Sequence, residues 1–341
     1  EKQIPFFLMA QTIAMTPLMM VHSLKEVQPP VIFKNQYSAL SLIATGILTT
    51  AFFINGNIAL ADYSAYRNNI QLNSGLVEYL LIYFCAISSF RTNGITSTLF
   101  KVMIVFYIIK CALFGFRVQA LMGCLLYLYL FYSTASYRKV ILVAILGGFA
   151  GLALGALKHS LSIDGQSLVM NANYIQTPHN GAATSTSVAF ELLNYDLGQS
   201  LSSLLAWLAP RTLLVDHFPW AYPMSYIQTF SPTPGGILFG GYGYVLAGWV
   251  GSFVTGLLIA LFAKLTQLRP YSKHDIRGAL FYGSMSFFVF MPRWVIYDFG
   301  NYGIRTFATT IALFILLYFI FLNHSVRDKS HNRSPAAGGE V

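Results

Sequence analysis

Residues 237–263 read ILFGGYGYVLAGWVGSFVTGLLIALFA. This run decides the fold class. It carries no charged residue, and it exceeds the roughly 20 apolar residues a helix needs to cross a bilayer. A transmembrane barrel strand alternates in polarity over only about 10 residues, so the run reads as one spanning helix. Small residues recur along it four apart, Ala247 with Gly251 and Ser252 with Gly256. Such spacing lets two helix backbones approach closely.

Outward from this segment, further apolar runs fall near 4–21, 38–60, 76–90, 97–114, 118–134, 139–157, 278–292 and 304–322. The run at 139–157 carries Gly147, Gly151 and Gly155, again four apart. With 237–263 the runs predict an all-α polytopic membrane protein of about nine transmembrane helices, one integral membrane domain over 1–341. Composition agrees. Of 341 residues 55% are hydrophobic and 10% charged, where a soluble domain carries about 25% charge. Mean hydropathy is +0.58. These values exclude a soluble or disordered chain. Aromatics at 16% suit belts at the two membrane interfaces. Cys85, Cys111 and Cys124 lie in or near apolar runs and read as small buried hydrophobes. The chain starts with Glu1, from which a missing N-terminal piece is expected.

The net charge of +9 speaks first to topology, not to nucleic acid. Lys and Arg concentrate in cytoplasmic loops. Placing 264–277 inside puts Lys264, Arg269, Lys273 and Arg277 there. Counting spans then adds Lys25, Lys34, Arg91, Lys101, Arg138, Lys139, Arg327, Lys329 and Arg333, which makes 13 of the 21 basic residues. The tail 324–341 is then cytoplasmic and expected to be disordered. The long segment 158–236 is extracytoplasmic, and loops of this length are usually functional. Within it, 187–209 (SVAFELLNYDLGQSLSSLLAWLA) has helical apolar spacing and reads as an amphipathic helix at the outer interface. The following 216–236 is rich in aromatics, Pro and Gly.

Outer cations run against the charge bias and need individual reasons. Arg211 follows the amphipathic helix, and a planar five-donor group there suits a phosphate. Arg293, at the outer end of the eighth run, has two readings: a ligand contact or an ion pair with Asp298. Arg305, at the start of the ninth, either contacts a ligand or snorkels to headgroups. Lys158 and His159 end the sixth run. The outer acids and bases are Asp62, His159, Asp164, His179, Glu191, Asp196, Asp216, His217 and Asp298. Asp216 and His217 stand five residues beyond Arg211, where a base could take a proton from a hydroxyl. Each of these residues also has a plain reading as a solvated loop group. There is no Walker A loop, GxSxG, HExxH or CxxC. The outer loops lack a tight carboxylate cluster of the kind a metal takes. No cofactor and no metal are expected.

The large outer loop, Pro210–Arg211, the turn Ser231–Gly236 and the entry Gly240–Gly243 into the next helix together resemble the bacterial O-antigen polymerases, the Wzy-type oligosaccharide repeat-unit polymerases. AspTyrSerAlaTyr at 62–66 is similar to a segment of related exopolysaccharide polymerases. The resemblance is one of topology over most of the chain and of motif across about 205–260. Where a LysPro-like element is expected, this loop has ProTrp and TyrPro.

The resemblance implies an integral-membrane glycosyltransferase fold of GT-C type in the bacterial inner membrane, its site facing the periplasm. It implies polymerisation of oligosaccharide repeat units on undecaprenyl pyrophosphate, with donor and acceptor both lipid-linked. Arg211 carries over as a pyrophosphate contact from the ProArg match, and Arg293 as an Arg at the outer end of the penultimate helix. Arg305 is added from charge and position. Asp216 and His217 are the candidate bases, and Lys158, His159, His179 and Glu191 further substrate contacts. A chain-length regulator is a possible partner besides the bilayer. Two other readings compete: an O-antigen ligase, which His179 or His217 would serve, and a non-enzymatic flippase or transporter of lipid-linked glycan.

Overall fold

The structure, a computed structural model, describes residues 4–19, 35–59, 63–73, 75–90, 94–131, 185–186, 188–190, 195–206, 236–266, 277–295 and 297–331. Among these there is no strand. In chain order the helices are α1 (Ile4–Met19), α2 (Gln36–Phe53), α3 (Tyr63–Asn73), α4 (Leu76–Ile87), α5 (Ile95–Leu113), α6 (Arg117–Phe131), α7 (Leu197–Ala206), α8 (Phe239–Leu265), α9 (Arg277–Val289), α10 (Met291–Trp294) and α11 (Arg305–His331). A π-helical turn, Gly300–Ile304, leads into α11.

Four stretches are long and apolar enough to cross a membrane: α2, α5, α8 and Gly300–Phe321. Leu76–Phe90 and Arg117–Phe131 are shorter apolar helices. Their surfaces are turned as a hydrocarbon solvent would turn them. Leu48, Phe52, Val102, Ile109, Leu257, Leu316 and Phe319 lie outside, while Thr50, Thr96, Gln119, Ser252 and Thr310 are buried. The described chain is all-helical and consistent with an all-α membrane protein. The expected span 139–157 lies outside the described residues. Of the tail 324–341, expected to be disordered, the first part is a continuation of α11 to His331, and 332–341 lie outside the described residues.

Two expected spans are reshaped. The run 38–60 stays helical only to Phe53. Beyond it the chain turns through Asn55, Gly56 and Asn57, and α3 stitches that turn down. Asn69 accepts from the Asn57 N–H at 3.1 Å and donates to the carbonyls of Asn57 at 2.8 Å and Phe114 at 3.0 Å. Asn73 donates to Asn55 O at 2.9 Å. A polar turn near the end of an apolar helix must satisfy its backbone groups, and the two asparagines do so. The segment between the second and third runs, expected as loop, is therefore largely helix.

The run 237–263 is not one straight span. At Ala247 and Gly248 the backbone leaves helical geometry, with Gly248 at φ 59° and ψ −145°. Ser252 Oγ then donates to Gly240 O at 2.8 Å. In a straight helix these residues would stand about 18 Å apart along the axis. The helix therefore doubles back on itself. Gly243 and Gly251 face each other so closely that a Cβ on either would collide with the other's carbonyl. A Cβ on Gly240 would meet Ala10 O at 2.8 Å, and one on Gly256 would collide with Ala14 O, both on α1. The small-residue pattern thus serves backbone packing twice, within α8 and against α1. Packing is the plain reading of such a stripe.

The hairpin anchors the opposite part of the fold. Ile237 N donates to Tyr297 O at 2.9 Å and Phe239 N to Val295 O at 3.3 Å. Below them, Phe287 stacks on Trp294 with ring centroids 4.8 Å apart, and Phe262 lies 4.4 Å from Phe287. This aromatic cluster packs α10 against the end of α9.

Candidate functional site

The starts of α4, α6 and α11 and the segment after α9 converge at one end of the bundle. They enclose a cavity of about 490 Å³. Its wall includes Glu78 of α4, Gln119 of α6, Arg293 of α10, Tyr297 and Tyr302 beyond it, and Arg305 at the head of α11. The predicted alternation of spans puts all of these helix ends on one side of the membrane, and the packing brings them into one place.

Arg293 is organised by Glu78. Its Nε donates to Glu78 Oε1 at 3.0 Å, and its Nη2 lies 2.8 Å from the same oxygen. Gln119 Nε2 donates to that oxygen as well, at 3.0 Å. The guanidinium also sits over two rings, 5.0 Å from the Tyr297 centroid and 5.1 Å from Tyr302, a geometry that attracts a cation to a ring face. Burial by itself weakens the hold of Arg293 on its proton, but the Glu78 carboxylate, with Tyr302 and Tyr297, offsets this and holds the group above the ordinary arginine value. The expected partner Asp298 is corrected to Glu78. Asp298 is buried, and its Oδ1 accepts from the Asn301 N–H at 2.9 Å, which fixes the turn that carries Tyr302.

Arg305 reaches the cavity from the other side. Its Nη1 donates to Asn301 Oδ1 at 2.7 Å and its Nη2 to Ala206 O at 3.3 Å. The second bond ties it to Ala206, the last described residue of α7. Arg305 is thus a built part of the wall and does not simply snorkel to the headgroups.

The amphipathic segment 187–209 is described as helix over Leu197–Ala206. It is turned with its polar face inward. Ser200, Ser203 and Ala206 are buried, while Leu197, Leu201, Leu204 and Leu205 are exposed. Ser200 Oγ donates to Asp196 O at 2.9 Å and to Leu246 O in the α8 turn. Asp196, a candidate acid or base, is a helix cap. Its Oδ1 accepts from Gln199 N at 2.7 Å while its own N–H donates to Gln199 Oε1 at 3.1 Å, a reciprocal capping box.

Of the sequence candidates, Arg293 and Arg305 come together in the cavity. Arg211, Asp216, His217, Lys158, His159, His179, Glu191, Asp62 and Asp164 lie outside the described residues. Among the described residues no three His, Cys, Asp or Glu gather into a metal-binding group. Cys85 and Cys111 are buried and Cys124 half-buried, all three as free thiols. Glu78 and Gln119 are the site residues that sequence reading passed over. Glu78 did carry a signal, since it is the one charged residue in the apolar run 76–90, and such residues mark function by default. No protein-family model, curated protein or solved structure matches the chain.

Proposed function

We propose that the protein is a membrane glycosyltransferase that joins oligosaccharide repeat units carried on undecaprenyl pyrophosphate, acting at the outer face of a bacterial inner membrane. The observation that carries this reading is the make-up of the cavity. It combines two guanidiniums, one carboxylate, the amides of Asn73, Gln119 and Asn301 and the rings of Tyr79, Tyr297 and Tyr302 at one end of an apolar bundle. Guanidiniums suit a pyrophosphate. Ring faces suit the C–H faces of a sugar, and amides suit its hydroxyls. The resemblance of Pro210–Arg211 and of Gly240–Gly243 to the O-antigen polymerases supports the same reading.

The chemistry needs no nucleotide, because a glycosyl pyrophosphate is already an activated donor. An acceptor hydroxyl oxygen bonds to the anomeric carbon while the bond from that carbon to the pyrophosphate oxygen breaks. The electron pair leaves on the lipid pyrophosphate. Charge grows on that leaving group, and donors placed beforehand lower the barrier. Arg305 is one such donor, joined by the Arg293 edge not engaged with Glu78; the resemblance implies Arg211 as a further pyrophosphate contact.

The test is reconstitution of the purified protein in lipid vesicles with a synthetic repeat unit on polyprenyl pyrophosphate. A polymer ladder formed without nucleotide is expected, and Arg305→Ala should lose at least about a hundredfold in rate. No donor binding and no ladder, or a strict need for nucleotide, overturns the reading. In cells lacking the protein, single lipid-linked repeats support polymerisation. Full-length chains left on the carrier would instead favour the ligase, and material held on the cytoplasmic leaflet the flippase.

A further inference from the structure

We propose that Glu78 is the general base of the transfer, taking the proton of the acceptor hydroxyl on its Oε2. This assignment rests on the glycosyl-transfer reading of the cavity and deepens it.

The geometry of the ion pair points to it. An Arg–carboxylate pair that serves stability alone is best made as a fork on a fork, two N–H groups to two oxygens. Here Arg293 Nε and Nη2 and Gln119 Nε2 all converge on Oε1. Among the described residues Oε2 accepts no hydrogen bond. Three donors on one oxygen fix the carboxylate plane, and no described residue occupies the second oxygen. Glu78 lines the cavity together with Arg305 and is partly exposed to it. It is the one carboxylate among the described residues that line the cavity. Position, orientation and an open lone pair are what a base needs before its strength matters.

The step balances. The acceptor oxygen forms its bond to the anomeric carbon, and the pyrophosphate leaves with the electron pair. The hydroxyl proton passes to Glu78 Oε2 and is later released to water. Arg293 and Gln119 are positioning residues, since they act through the carboxylate.

The test uses the full-length protein and the synthetic polyprenyl-pyrophosphate-linked repeat. Glu78→Gln keeps an oxygen for Arg293 and removes the base. Donor Kd should stay within about threefold while turnover falls by about 10²–10⁴. Azide, a nucleophile that needs no base, should then yield a glycosyl azide from the variant. Glu78→Gln that polymerises within about tenfold of the parent, or that binds donor yet gives no azide product, overturns the assignment. If Glu78→Gln does not fold, Glu78→Asp keeps the charge but withdraws the oxygen by about one bond. It should lose about a hundredfold in turnover with donor affinity retained, and undiminished turnover overturns the base role. Parent protein that neither binds nor transfers the donor overturns the glycosyl-transfer reading itself, which separates that failure from a failure of Glu78.

Discussion

Glu78 and Arg293 lie 215 residues apart in the chain and meet at 2.8 Å. Each side chain keeps less than a fifth of its surface exposed, 16% and 19%, so the pair is largely withdrawn from solvent. It clamps α4 to α10 across the cavity.

Removing one partner strands the other. Arg293→Ala should destabilise the fold by about 3–5 kcal/mol, the usual cost of an orphaned buried charge. Replacing both residues together with Met should cost much less. Thermal unfolding of the single and double variants in one detergent gives the coupling directly. Additive losses would mean the pair contributes nothing as a pair.

Gly248 turns α8 back on itself at a φ and ψ close to glycine's own territory. Gly248→Ala should cost about 1–3 kcal/mol, although the position faces open space and no atom would be overlapped. Gly251→Ala should be worse, since its Cβ would strike the Gly243 carbonyl. Unfolding midpoints equal to the parent would show that the hairpin is dispensable.

Asn69 makes three hydrogen bonds that close the turn after α2. Asn69→Ala should cost about 2–4 kcal/mol, at roughly 1 kcal/mol per bond and more where a buried group stays unpaired. Asn69→Asp should do little better, because a carboxylate cannot donate to the carbonyls of Asn57 and Phe114. Full stability in Asn69→Asp would contradict the donor roles assigned here.

The Lys and Arg bias predicts that 158–236 is outside and 264–277 inside. A cysteine at Gln176 should react with an impermeant maleimide added to intact cells, and one at Lys273 should not. Native Cys85 and Cys111 are buried and should give little background. The opposite labelling would invert the orientation and move the cavity to the cytoplasmic side.

Much of the helical frame was legible because one local property sets it. A strongly apolar stretch such as 97–114, whose charges are Lys101 and Lys110 alone, has only one low-energy way to carry its peptide groups through hydrocarbon, as helix, and α5 follows. Arg293 and Arg305 stood out for the same reason, as cations that a bilayer does not host without cause. Asp196 and Asp298 could not be sorted by sequence, because a carboxylate that caps a turn and one that does chemistry have the same composition around them. Glu78 had a signal of burial, but nothing near it in the chain names Arg293.

By itself, then, the sequence determined the apolar, membrane-compatible character of this protein, its helical class, the approximate ends of most described helices and two of the cavity's charged groups. All of these depend on the composition of single segments. Tertiary structure alone decided that 237–263 folds back at Gly248, that the helix Tyr63–Asn73 seals the turn after α2 and that α7 packs by its serines. It also decided that Glu78, Gln119 and Arg293 share one oxygen. Those outcomes depend on which backbones approach closely enough to exclude a Cβ and on which buried polar groups find partners. Both are properties of pairs of segments far apart in the chain, and neither is written in either segment alone.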